Sequence, residues 1–185
     1  MASYLPQYDF GAQDREAKFF RAVYSFLKQG IGELIIVADG CYRTIEIVNK
    51  YIKDPSIIPI IIPKQPMFSG QVRQVGIQYA KHPWVCYLDS DDEFMPGHLQ
   101  TIVDNLDDDY DWVYYNDRVR GEIRESRVLG GKVGTSTIAH KRNISAVWPD
   151  GYGHDWEFIK TLGDRHKKIP GSGYIVHHIP TQYDE

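Results

Sequence analysis

The sequence predicts an α/β fold: an open, mixed but mainly parallel sheet with helices on both faces. Three observations lead there. Leu34-Ile35-Ile36-Val37, Ile57 to Ile62 and Trp84-Val85-Cys86-Tyr87-Leu88 are continuous apolar runs of the kind that form buried strands. Segments with helical apolar spacing separate them, and strands alternating with helices of this length imply right-handed crossovers and a parallel sheet covered on both faces. The 185 residues, 42% hydrophobic and 25% charged, have the length and composition of one compact domain with a real core. A single unit over 1–185 is therefore expected, with no second domain.

In order along the chain, a short apolar start at Tyr4-Leu5-Pro6 precedes an amphipathic helix over Arg15 to Gln29. Phe19, Phe20, Val23, Phe26 and Leu27 lie on one side of it, with Asp14 as N-cap and Gly30 as its stop. The first strand run ends in Asp39-Gly40. A helical stretch with Ile45, Val48 and Ile52 leads to the Ile57 to Ile62 strand. A helix from about Gln71 to Ala80, halted by Pro83, delivers the chain to the Trp84 strand, and Pro96 opens a helix carrying Leu99, Ile102 and Val103.

Beyond Asp111 the pattern changes. Trp112 to Asn116 reads as a strand, Arg120 to Val128 as an edge hairpin around Gly121, and Gly130-Gly131 as a joint before a strand at Thr135 to His140. A last helix runs from about Asp155 to Leu162 and ends near Gly163, and Tyr174 to His178 forms a closing strand. The chain thus divides into an α/β half, 1–111, and a mixed half, 112–185, that shapes a second pocket.

Composition excludes several functions. The 21 basic and 25 acidic side chains leave a net charge of −4, with no basic stripe of the kind that tracks a phosphate backbone, so nucleic-acid binding is not expected. Only Cys41 and Cys86 are present, and Cys86 sits in a buried run, so a reducing compartment fits better than a disulfide framework. No apolar run reaches the roughly 20 residues of a spanning helix, and no signal peptide opens the chain. A cytoplasmic location, including the inner face of the membrane, is expected. Asp107-Asp108-Asp109 reads as a solvated turn.

The most informative string is Asp89-Ser90-Asp91-Asp92-Glu93, directly after the Trp84 to Leu88 run. It falls where a core strand leaves the sheet, which is where open α/β folds place their ligands. Carboxylates gathered there repel one another unless a hard divalent cation neutralises them, and Mg²⁺ takes one or two carboxylates plus substrate phosphates. An EF-hand is a poorer fit, because Phe94 stands where that loop needs Gly and Gln100 where it needs Glu.

Four strings in order, Leu34 to Gly40, Gly70 to Ile77, Tyr87 to Glu93 and His154-Asp155-Trp156-Glu157, closely resemble the successive motifs of the family 2 glycosyltransferases of the GT-A (Rossmann-like) fold. The resemblance runs from Tyr4-Leu5-Pro6-Gln7-Tyr8, matching the family's strand ending in Pro-x-Tyr, to His177. It implies a nucleotide-binding half at 1–111, with Pro6, Tyr8, Asp39, Arg73 and Asp89 against the nucleotide, and an acceptor-shaping half at 112–185. Asp39 would accept from the base, the N3 donor of uracil, and Arg73 would pair with phosphate or base oxygens. Gly70 would leave room for the ligand, and Gly76 would allow close helix–sheet packing. Asp91 would ligate Mn²⁺ or Mg²⁺ directly, Asp89 would lie between metal and ribose, Asp92 would stand behind them, and His177, rather than the adjacent His178, would complete the metal site.

The resemblance also makes Asp155 the general base for the acceptor hydroxyl. A helix start would favour its charged form, so greater basicity would need burial against Trp156 or nearby anions. The chain departs from the family at His154, where Glu is usual, at Ala38, where the first Asp of Asp-Asp-Gly is usual, and at Gln74, where Asn is common. The implied activity is metal-dependent, inverting transfer of a sugar from a nucleoside diphosphate sugar, a UDP-sugar, to an acceptor hydroxyl, as in surface polysaccharide or glycan synthesis. The alternatives are a nucleotidyltransferase, whose Gly-rich phosphate loop is missing after the first strand, and a non-catalytic sugar- or nucleotide-binding module of the same fold.

Overall fold

The computed structural model describes residues 1–7, 13–66, 69–151, 153–171 and 173–177. In chain order the first half forms β1 (Ala2–Ser3), α1 (Arg15–Leu27), β2 (Leu34–Asp39), α2 (Tyr42–Ile47) with a π-turn over Val48–Ile52, β3 (Ile57–Ile62), α3 (Gly70–Tyr79), β4 (Trp84–Cys86), β5 (Glu93–Phe94) and α4 (His98–Val103). β2 pairs parallel with both β1 and β3, as the alternation with helices requires. Because side chains alternate across a strand, Ile36 packs into the core beneath α1 with Phe19, Val23 and Phe26, while Ile35 and Val37 meet Val72 of α3. Helices therefore cover both faces.

The second half forms β6 (Trp112–Tyr114), β7 (Asp117–Val119), β8 (Glu122–Arg124), a 3₁₀ turn at Thr135–Thr137, β9 (Ile138–Lys141), α5 (His154–Lys160), β10 (His166–Lys168) and β11 (Tyr174–Val176). The ladders run β1-β2-β3, β10-β6-β9-β4 and β5-β11-β7-β8, and the last two mix parallel and antiparallel pairs. β11 pairs with both β5 and β7, which ties the end of the chain to the acidic loop. A second core cluster holds Trp112, Ile138, Trp148, Phe158 and Ile159, with Trp148 and Phe158 stacked at 4.0 Å.

Several local expectations are corrected. Asp14 stands at the N-cap position of α1 but in a left-handed conformation with no side-chain cap. β3 is an edge strand, so its run is only partly buried and Ile61 is 38% exposed; Pro59 is tolerated there for the same reason. The hairpin starts at Asp117 and turns through Arg120 and Gly121, both at positive φ, which gives the twist a two-residue turn needs. Thr135–Thr137 is helical because the Thr137 hydroxyl donates to Gly134 O at 3.0 Å and accepts from Gly134 N at 3.1 Å. Asp107, Asp108 and Asp109 are exposed as expected. Among the described residues no helix is long and apolar enough to cross a membrane.

Candidate active site

The site forms where β2, β4 and the start of α3 meet the loop before α5. Asp39, the last residue of β2, is buried; its Oδ1 accepts from Gln65 N at 2.6 Å and its Oδ2 from Lys64 Nζ at 2.7 Å. Gly40 permits this return of the chain: it sits at φ +63°, and a Cβ there would lie 2.7 Å from Lys64 Cβ. Lys64 Nζ also lies 4.8 Å from the Tyr4 ring centroid, so the end of β1 and the end of β2 share one cation. Pro6, just beyond, is exposed, and Tyr8 lies outside the described residues.

Arg73, on the first turn of α3, joins the carboxylates. Its Nη2 donates to Asp89 Oδ1 at 2.8 Å, its Nη1 reaches His154 Nε2 at 2.8 Å, and Nη1 is 3.8 Å from Asp155 Oδ1. The guanidinium lies 5.3 Å from the Trp148 ring, with only 9% of the side chain exposed. Burial disfavours its charge, but Asp89 and Asp155 more than offset that and push its pKa up. Gly70 brings α3 this close to the second half, since a Cβ there would stand 2.1 Å from Pro149 O. Its missing side chain is thus filled by protein, not by the open ligand space expected. A Cβ on Gly76 would lie 3.5 Å from Val37 Cγ2, ordinary packing distance between α3 and β2.

His154 Nε2 thus stands between Arg73 Nη1 at 2.8 Å and Asp155 Oδ1 at 3.0 Å, and its Nδ1 lies 3.1 Å from Gly151 O. Asp155 Oδ1 is buried against His154 Nε2. Its Oδ2 makes only long contacts with Thr135, 3.5 Å to N and 3.4 Å to Oγ1. Burial favours the neutral acid, yet the hydrogen bond from His154 and then the Arg73 charge outweigh burial and bring the Asp155 pKa to about 2. The burial against Trp156 that greater basicity would need is not what this state provides: Trp156 packs on Gly130, where a Cβ would lie 3.3 Å from its Nε1.

The acidic loop is held from two sides. Asp92 is buried; its Oδ2 accepts from the Tyr174 hydroxyl at 2.9 Å and its Oδ1 from His177 N at 2.9 Å, while Asp89 N donates to the same Tyr174 oxygen at 2.9 Å. Arg21 of α1 donates to the Asp91 carbonyl. Burial, then the charges of Asp89 and Asp91, push the Asp92 carboxyl well above the usual carboxylate range. That surplus of negative charge on hard oxygen donors fits a divalent cation such as Mg²⁺ or Mn²⁺. Among the described residues, however, no group of His, Cys, Asp and Glu side chains is drawn together as a ready cation site. The His177 Nε2 lies 3.1 Å from Glu93 Oε2, and His178 is outside the described residues.

Of the residues singled out from the sequence, the fold brings Arg73, Asp89 and Asp155 together with His154 and anchors Asp39 at the neighbouring strand end. Lys64, Gln65, Thr135, Trp148 and Tyr174 were not anticipated. Only the aromatic character of Trp148 and Tyr174 distinguishes them in the sequence, and it reads equally as core.

The sequence profile of glycosyl transferase family 2 matches residues 14–164. None of the curated protein sequences matches the chain. Among solved structures, S. aureus TarS 1-349 superposes with a TM-score of 0.73 at 16% identity, covering 90% of this chain and 58% of that one. The same fragment in complex with UDP-GlcNAc gives 0.73 at 15% identity, with 89% and 56% covered. HddC from Yersinia pseudotuberculosis gives 0.59 at 13% identity, with 82% and 75% covered. The chain thus spans little more than half of the TarS fragment, and the likeness establishes the GT-A fold. With the family profile spanning most of its length, this chain belongs to glycosyl transferase family 2.

Proposed function

We propose that this chain transfers a sugar from a nucleoside diphosphate sugar, a UDP-sugar, to an acceptor hydroxyl, with inversion and with a divalent cation, in surface polysaccharide or glycan synthesis. The observation that carries the reading is Arg73: one buried guanidinium bridges Asp89, on the acidic loop, and Asp155, at the start of α5. Membership of the family and the TarS complexes with UDP-GlcNAc and with UDP support a nucleotide-sugar donor.

In this reading Asp39 accepts the N3 proton of uracil, which rejects rings that present an acceptor there, while Lys64 and Gln65 hold its carboxylate in place. Pro6 and Tyr8 flank the nucleotide. Asp91 and Asp89 would hold Mn²⁺ or Mg²⁺, with His177 completing the set, and the ion would supply Lewis-acid stabilisation of the charge on the leaving diphosphate. Asp155 takes the proton of the acceptor hydroxyl as its oxygen attacks the anomeric carbon from the side opposite the diphosphate, so the configuration inverts. A diphosphate beside Arg73 offsets its charge, and Asp155 then becomes a stronger base than in the ligand-free site.

The depressed Asp155 pKa favours one second reading, a module that binds the nucleotide sugar without turning it over. Product analysis with UDP-sugars, Mn²⁺ and simple glycoside acceptors tests the proposal. Release of UDP coupled to a new glycosidic bond of inverted configuration supports transfer, and binding of UDP-sugar with no product from any acceptor supports the module.

A further inference from the structure

Lys64 sits beside Asp39 with more donors than that contact needs. β2 and β3 stay in register as far as Asp39 and Ile62, and just beyond them Lys64 Nζ reaches Asp39 Oδ2 at 2.7 Å while Gln65 N reaches Oδ1 at 2.6 Å. An ammonium group carries three N–H donors. One goes to Asp39 and one to Gln65 O at 2.7 Å, and among the described residues the third meets no hydrogen-bond acceptor. Asp39 has capacity left too: a carboxylate offers about four lone-pair sites, and these contacts fill two of them. The Lys64 side chain is 46% exposed against 11% for Asp39, so the pair opens outward on the lysine side. The Tyr4 ring, 4.8 Å from Nζ, holds the ammonium at this strand end instead of leaving it to trail in solvent.

We propose that Lys64 is a specificity-determining residue of the nucleotide site, donating its third N–H to a carbonyl oxygen next to the ring N–H that Asp39 accepts; this rests on the uridine reading above. The pair sets a donor and an acceptor side by side, 2.7 Å apart. The base edge that answers it is an N–H flanked by carbonyl oxygens, and uracil carries one on each side, O2 and O4. Cytosine in the same position turns a bare nitrogen toward the carboxylate and keeps only one of the two carbonyls, while guanine has a carbonyl on one side of its N–H and an amino group on the other. A site that requires both contacts rejects a base that supplies one, because the partner left over is unpaired. A lysine that served only to neutralise Asp39 would place no such second demand on the base.

The test is a cycle between protein and base, read by isothermal titration in Mn²⁺ with UDP, 2-thio-UDP and 4-thio-UDP on the parent chain, Lys64→Met and Lys64→Arg. Sulfur is a weak acceptor, so one of the two thio analogues should bind the parent chain roughly fivefold or more weakly than UDP. Lys64→Met should weaken UDP about tenfold or more and bind that analogue and UDP alike, the penalty having gone with the donor. Lys64→Arg, which keeps a charged donor, should restore part of the affinity and part of the penalty. Loss of Asp39 support alone would weaken all three ligands by the same factor, so a thio penalty that persists in Lys64→Met, or no penalty from either analogue in the parent chain, overturns the role of Lys64 while leaving the uridine site standing. A parent chain that binds no UDP overturns both together.

Discussion

Arg73 Nη2 donates to Asp89 Oδ1 at 2.8 Å while the same guanidinium contacts the residues that open α5, so the acidic loop and the proposed base share one buried cation. Removing it leaves two carboxylates facing each other across the site. Arg73→Met is expected to cost about 3 kcal/mol, the range for breaking a buried ion pair, and Arg73→Lys rather less, since lysine keeps the charge but not the fork. Urea unfolding of both variants checks this, and a neutral Arg73→Met would show that the bridge contributes no net stability.

Asp155 gives a pH dependence with a definite sign. Its folded pKa, about 2, lies below the ordinary carboxylate value of 3.8, so its contribution to stability is present above about pH 4 and lost as pH falls toward 2. The side chain is 35% exposed, so solvent screening reduces the expected contribution to about 1 kcal/mol. Comparing urea unfolding of the parent chain and Asp155→Asn, the gap between them should narrow as pH drops from 4 to 2; a gap that widens contradicts the ion-pair account. In turnover assays the same variant should retain donor binding and lose roughly 10²–10⁴-fold in rate, the range for a positioned acid or base.

The glycines of α3 separate two roles. Gly70→Ala places a Cβ 2.1 Å from Pro149 O and is expected to cost about 3 kcal/mol through overpacking. Gly76→Ala meets only Val37 Cγ2 at 3.5 Å and is expected to be neutral or stabilising by up to about 1 kcal/mol, as for Gly to Ala inside a helix. Thermal unfolding of the pair reads the contrast, and equal losses would mean that α3 does not rest on the Pro149 carbonyl.

Tyr174 anchors the acidic loop through one oxygen, accepting from Asp89 N and donating to Asp92 Oδ2. Tyr174→Phe keeps the ring but leaves Asp92 one donor short in a buried place, which costs about 1–3 kcal/mol and raises its pKa further. A Mn²⁺ titration followed by electron paramagnetic resonance should show weaker binding at neutral pH than in the parent chain. Unchanged binding would detach Asp92 from the cation site.

Much of the first half was legible because its strands are buried or half-buried apolar runs: Leu34–Asp39 and Ile57–Ile62 form where their side chains predicted. β10, His166–Lys168, was not, since all of its side chains are polar and it is a strand only through its parallel pairing with β6. Thr135 has strand propensity, yet local bonds between Gly134 and Thr137 win over it. At the site, Asp39, Arg73, Asp89 and Asp155 were readable as motif positions. Their partners were not: Lys64 reaches Asp39 by a turn after β3, and His154 meets Arg73 across 81 positions of sequence, contacts that no local pattern encodes.

Isothermal titration of UDP with Mn²⁺ and with chelator decides whether Asp39, Arg73 and the Asp89–Asp91 pair form the proposed cation-assisted uridine diphosphate site. Binding in Mn²⁺ should weaken at least about tenfold in chelator, because unneutralised carboxylates repel the diphosphate. Asp91→Asn should lose most of that difference, and Asp39→Ala should bind about tenfold or more weakly through one lost charge-assisted hydrogen bond. Equal affinity with Mn²⁺ and with chelator, or no UDP binding in either, would contradict it.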